Sequence, residues 1–159
     1  MTRSGRRPSR LAAIAVLGGA VASAAAGAAA ADATARVGAP ARIALAPAAA
    51  QALPPDAGAI VTVSLAAYEP ADEGFVSAEV AARGPSGETV ALGAFSVFPN
   101  APFGADDPAS GMSFAFPLAA DDLARLGGAP SEIVVRLEPV GGAAPEATMT
   151  IGGVEIRPR

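Results

Sequence analysis

The chain has 159 residues, 11 of them basic and 15 acidic, and it contains no His, Cys, Lys or Trp. Those absences remove imidazole and thiolate metal ligands, thiol nucleophiles, histidine bases and Schiff-base amines. The length fits a single domain, and without Cys an exported fold of this size must stand on packing rather than on a disulfide framework.

Residues 1–31 read as a secretory signal. Arg3, Arg6, Arg7 and Arg10 form a basic start without any acid, an uncharged apolar run follows, and Ala29-Ala30-Ala31 before Asp32 is a small-residue cleavage site. The apolar run is long enough to span a bilayer but is mostly Ala and Gly, so its insertion is weak, and no stable span is expected after cleavage. Arg6-Arg7 is a partial twin-arginine signal that lacks the apolar pair expected after it. Cleavage removes four Arg and no acid, which leaves 7 Arg against 15 acids, a net charge of −8. Such a surface repels phosphate backbones and anionic lipid, so nucleic acid is excluded as a partner. A basic patch on another protein complements it better.

Residues 32–58 are rich in Ala and Pro and read as a linker, with one possible edge strand at 42–46. From residue 59 to the end the period becomes two. Val61, Val63 and Leu65 alternate with Thr62 and Ser64; Val76, Ala78 and Val80 alternate with Ser77 and Glu79. Both segments read as half-buried antiparallel strands, separated by the acidic turn at 70–74. After the Gly84-Pro85-Ser86-Gly87 turn, residues 90–98 are apolar on both faces, as a central strand would be. A long Pro- and Gly-rich loop covers 99–111. Met112, Phe114, Phe116 and Leu118 then share one strand face, and residues 121–126 form a short helix with Asp121 as N-cap and Gly127 as stop. Ile133, Val135 and Leu137 point inward on the strand over 132–140. In the last strand, Met149 and Ile151 share a parity that Val154 and Ile156 break, and one extra residue at Gly152-Gly153 restores it as a β-bulge. The whole predicts an all-β fold: an antiparallel, jelly-roll-like β-sandwich of seven or eight short strands with one short helix.

Only carboxylates and hydroxyls remain for chemistry. Asp106-Asp107 matches no calcium-loop spacing and reads as solvated; Asp121-Asp122 sits at the helix start. The lone Tyr68, at a strand end, reads as a buried ring with a hydrogen-bonded hydroxyl. Gly152-Gly153 lacks the wider glycine spacing and the Lys of a phosphate loop. Met112 and Met149 are spaced as core residues, so no copper site is expected. No cofactor, metal or catalytic residue is therefore predicted.

Three stretches carry a family likeness: 92–99 (LGAFSVFP), 114–118 (FAFPL) with Asp121-Asp122-Leu123, and 133–139 (IVVRLEP) leading to 150–156 (TIGGVEI). In order and spacing they resemble the C-terminal β-domain of tyrosinase and polyphenol oxidase proteins over about 60–156. The His-rich copper-binding helices of that family have no counterpart here, and the opening Lys-Phe-Asp-Val-type strand of its plant members is only echoed by Phe75-Val76-Ser77. In the family the domain packs on the copper domain and shields its substrate entrance. The resemblance thus implies a non-enzymatic accessory domain, exported to the periplasm or beyond, whose partner is a tyrosinase-type copper oxidase or another envelope protein. A free-standing envelope binding or adhesion module is the alternative. The expected contact is the 99–111 loop: Phe103 near its tip, with Asn100, Asp106 and Asp107, the alternative for Phe103 being that its ring folds back to seal the sandwich edge.

Overall fold

The computed structural model describes residues 29–46, 53–54, 57–104, 106–107, 111–142, 144 and 146–159. The described strands are β1 (Ala29–Arg36), β2 (Ala41–Ala44), β3 (Ala59–Glu69), β4 (Phe75–Arg83), β5 (Thr89–Phe95), β6 (Ser113–Leu118), β7 (Glu132–Val140) and β8 (Thr148–Pro158), with helix α1 (Ala120–Arg125) between β6 and β7. They form two four-stranded antiparallel sheets, ordered β1-β8-β3-β6 and β2-β7-β4-β5. Each strand of the first half pairs with its mirror image in the second: β1 with β8, β2 with β7, β3 with β6 and β4 with β5. The chain is one long hairpin, turned at residues 84–88 and rolled so that successive pairs fall in alternate sheets. That is the jelly-roll sandwich.

Alternation fixes which side chains meet between the sheets. Val61, Val63 and Leu65 of β3 and Met149, Ile151, Val154 and Ile156 of β8 face Val76, Ala78 and Val80 of β4 and Ile133, Val135 and Leu137 of β7, all at most 3% exposed. Each of the larger chains contributes about 1.5–3 kcal/mol by leaving water, and the buried alanines much less. Apart from the Tyr68 hydroxyl, no polar or charged side chain is buried among the described residues.

The expected bulge in β8 is present. Ser64 pairs with Gly153 and Leu65 with Ile151, so Gly152 is the extra residue, and burial moves from Ile151 to Val154 across it. The irregularity extends sideways. On β3 the next pair is Ala67 with Thr150, so Ala66 is skipped, and burial passes from Leu65 to Tyr68; on β1 the register shifts between Ala30 and Ala33. A Cβ on Gly152 would lie 3.1 Å from the Ala66 Cβ, which is why the wide residue of this band is a glycine.

Several expectations are corrected. The segment 32–58 supplies much of β1 and all of β2, with Ala35, Ala41 and Ile43 buried, so it is less of a linker than its composition implies. Alanine gives alternation almost no contrast, and the pairing of β1 with β8 and β2 with β7 makes these strands. β2 does lie at a sheet edge, over 41–44 rather than 42–46. β5 is also an edge strand, not a central one, and most of its side chains are exposed or half-buried. The N-cap of α1 is Ala119, without a side-chain cap bond; Asp121 and Asp122 lie in the first turn, favourable to the helix dipole, and Arg125 pairs with Asp122 at 3.4 Å. Gly127 is the stop: at φ 76° its N–H reaches the Ala124 carbonyl (3.1 Å) and the Gly128 N–H reaches that of Leu123 (2.8 Å), a Schellman cap.

Most of the expected signal lies outside the described residues. The junction between Ala31 and Asp32 falls inside β1, at its register shift, and the ladder from Ala33 to Arg36 lies wholly beyond it.

Candidate interaction surface

The ends of β1, β3, β5 and β7 and the starts of β2, β4, β6 and β8 lie at one end of the sandwich, and α1 with the 84–88 hairpin occupies the other. The first end holds every large hydrophobic side chain that is exposed among the described residues: Phe98 at 88%, Phe75 at 59% and Val140 at 49%. Phe75 and Val140 are direct cross-strand partners of β4 and β7. Both point to the outer face, opposite to Val76. Phe95, the last residue of β5, pairs with Ala78, so the chain running on to Phe98 arrives at the level where β4 begins. Isolated surface hydrophobics are ordinary; here Phe75 and Val140 are direct neighbours on the outer face, and Phe98 is exposed toward the same end of the sandwich.

Acids rim this end. Glu69, Asp72, Glu73, Asp106, Asp107 and Glu146 sit in or beside its turns, against Arg36 as the nearby cation. Of these, Glu69, Asp72, Glu73, Asp106 and Glu146 make no ion pair among the described residues, whose five pairs lie on the strands and helix elsewhere.

The sequence-derived contact set divides here. Phe103 is not an exposed loop tip: it is 6% exposed, and its backbone forms a two-way bridge with Tyr68 (2.9 and 3.0 Å) while the two rings lie 6.2 Å apart. Asn100 is committed as well, since its Oδ1 accepts the Tyr68 hydroxyl at 2.7 Å. Loop aromatics seal cores when a sheet end offers a place for the ring, and the end of β3 does so. Asp106 and Asp107 are exposed, and the Asp107 N–H donates to the Gly104 carbonyl at 3.0 Å. Sequence reasoning passed over Phe98, although its parity against Phe95 and Val97 places it outward. The same alternation that puts Val76 inside puts Phe75 outside.

The likeness-bearing residues have packing roles. Gly93, at φ 152°, leaves room for Phe116, whose ring would lie 3.1 Å from an added Cβ; Phe95 stacks on Phe114 with centroids 3.9 Å apart. These contacts join β5 of one sheet to β6 of the other. Gly152 is the bulge residue.

Chemistry is sparse. No group of three or more His, Cys, Asp or Glu is placed to hold a metal among the described residues. Tyr68, 2% exposed, is the one buried titratable side chain among them, and burial raises its phenol above the ordinary value. Its hydroxyl donates to Asn100. Among the described residues no helix is long and apolar enough to cross a membrane. No protein-family model, curated protein or solved structure matches the chain.

Proposed function

We propose that this chain is an exported, non-enzymatic β-sandwich that works by association, and that its acid-rimmed apolar end docks a protein partner. The observation that carries the reading is the exposure of Phe98, Phe75 and Val140 toward one end of the sandwich, near Glu69, Asp72, Glu73, Asp106 and Glu146, which make no ion pair among the described residues. An aromatic anchor at the centre and charge at the rim is the common anatomy of such contacts. The partner's surface is basic around an apolar pocket. The sequence likeness makes a tyrosinase-type copper oxidase without a C-terminal β-domain of its own the first candidate, with shielding of its substrate entrance as the role.

The test mixes the chain from Asp32 onward with such a di-copper domain, following binding by calorimetry and diphenol oxidation by absorbance. Saturable binding with slowed oxidation, both lost in Phe98→Ser, is the expected result. Binding that Phe98→Ser and Phe75→Ser leave intact overturns the assignment of the surface. Absence of binding at low salt overturns the copper-oxidase partner.

A further inference from the structure

The outer face of the β2-β7-β4-β5 sheet holds a second feature, whose nearer rank lies four residues along β4 and β7 from Phe75 and Val140. A depression of about 360 Å³ is floored by Ala81 and Val134 and walled by Arg42, Arg83 and Arg136, with Glu79 and the Gly87–Thr89 hairpin completing it. The register explains the hollow. Ala81 pairs with Val134, and Val134 with Arg42, so two short side chains lie between ranks of long ones. Three of the seven Arg that follow the signal meet here, in a chain where acids outnumber them two to one.

The cations are only partly answered. Arg42 and Arg83 converge on a single oxygen, Glu132 Oε2, at 3.1 and 3.6 Å, so one carboxylate serves two guanidinium groups. Arg136 approaches Glu138 at 3.8 Å. Of the three, only Arg42 donates a hydrogen bond to a carboxylate among the described residues. The side chains are 53%, 45% and 57% exposed for Arg42, Arg83 and Arg136, so their forks can turn toward the hollow. Planar guanidinium donors match a carboxylate bidentately. The rank of Arg136 with Glu79 stands four residues from that of Arg83 with Glu132, a separation of about 13 Å along the strands. Each rank sets a guanidinium against a glutamate, with Arg42 between them; donors so spaced, over a floor of methyl groups and beside the Thr89 hydroxyl, suit a short extended ligand with carboxylates and hydroxyls better than a compact anion.

We infer that this depression is a binding site for carboxylate-bearing saccharides, and that Glu132 holds with its own carboxylate the place that a ligand carboxylate takes. The site is independent of the apolar end.

The probe is trigalacturonate, with maltotriose as the uncharged control and sulfate as the non-sugar anion. Wild-type protein is expected to bind trigalacturonate saturably, with amide shifts in nuclear magnetic resonance centred on Ala81, Thr89 and Val134. Arg42→Gln and Arg83→Gln each weaken binding by about tenfold, the loss of one charge-assisted hydrogen bond. Glu132→Gln acts in the opposite sense and tightens it, because the internal competitor is neutralised. A merely structural ion pair predicts no such gain. All three residues are on the surface, and circular dichroism checks that each variant is folded. Absence of saturable binding overturns the inference, as do shifts centred elsewhere, equal binding of maltotriose, or a Glu132→Gln variant no tighter than wild type. Equal response to sulfate overturns the saccharide class. Phe98→Ser is expected to leave trigalacturonate binding unchanged, which separates this site from the protein-docking end.

Discussion

Where β5 meets β6, one flank of the sandwich is closed by rings, with Phe95 stacked on Phe114 and tilted at 6.2 Å to Phe116; where β1 meets β2, the other flank is closed by Ala35, Ala41 and Ile43. The aromatic flank depends on side chains and on one missing side chain, at Gly93. Apart from Ile43, the alanine flank has little side-chain mass to lose. Its integrity lies in backbone pairing, of β1 on β8 and β2 on β7. A small chain without disulfides can thus close its two open sides by different means, one sensitive to truncation and one to register.

The sharpest test of that contrast is a backbone change. Deleting Gly152 removes the bulge shared by β1, β8 and β3, and turns either Met149 and Ile151 or Val154 and Ile156 to solvent. Loss of a cooperative unfolding transition is expected in chemical denaturation; a midpoint like that of wild type would show that the register is held elsewhere. Next in size is Phe116→Ala on the aromatic flank. A ring only 7% exposed leaves a cavity, and about 3–5 kcal/mol should be lost in denaturant titration. A loss below about 1 kcal/mol would mean that Phe95 and Phe114 collapse into the gap.

A smaller effect tests the loop that links β5 to β6. Tyr68→Phe removes the hydroxyl bond to Asn100 and should cost about 1 kcal/mol at neutral pH. It also removes a pH response. Burial raises the folded-state pKa of Tyr68 above its unfolded value, so its protonated form favours the fold. That contribution is complete below the ordinary phenol range, near pH 10, and is lost as pH rises from there through the folded pKa. Thermal melts in alkaline buffers should therefore fall less steeply for Tyr68→Phe than for wild type, and parallel curves would contradict the assignment. The smallest effect belongs to the alanine flank: Ala35→Gly should cost about 0.5–1 kcal/mol, the entropy of a strand glycine and one methyl group. A larger loss than for Phe116→Ala would reverse the comparison.

The same contrast explains what the sequence made legible. Val, Ile and Leu against Ser, Thr and Glu give clear alternation, so β4 and β7 begin and end where their patterns do, at Phe75–Arg83 and Glu132–Val140. The bulge at Gly152 was readable because parity breaks on either side of it. Its counterpart at Ala66 was not, since Ala66 and Ala67 look alike to any period. β1 was hidden for the same reason. That β5 lies at an edge is a property of topology, and an apolar run cannot state which neighbours it has. At the apolar end, parity could have singled out Phe98 and Phe75, but a Pro-rich loop drew attention to Phe103. The fate of that ring depended on an opening at the end of β3 that no local pattern records.

The mirror-image pairing also sets the order in which the protein can be made. β8 lies between β1 and β3 in its sheet, although it is the last strand to be synthesised. Until residues 148–158 are available, β1 has no ladder partner in its sheet and β3 has only β6. Nearly every contact that closes the sandwich joins distant parts of the chain, and folds dominated by such pairings acquire structure slowly. The nascent polypeptide accordingly closes into a sandwich only once residues 148–158 are available to pair.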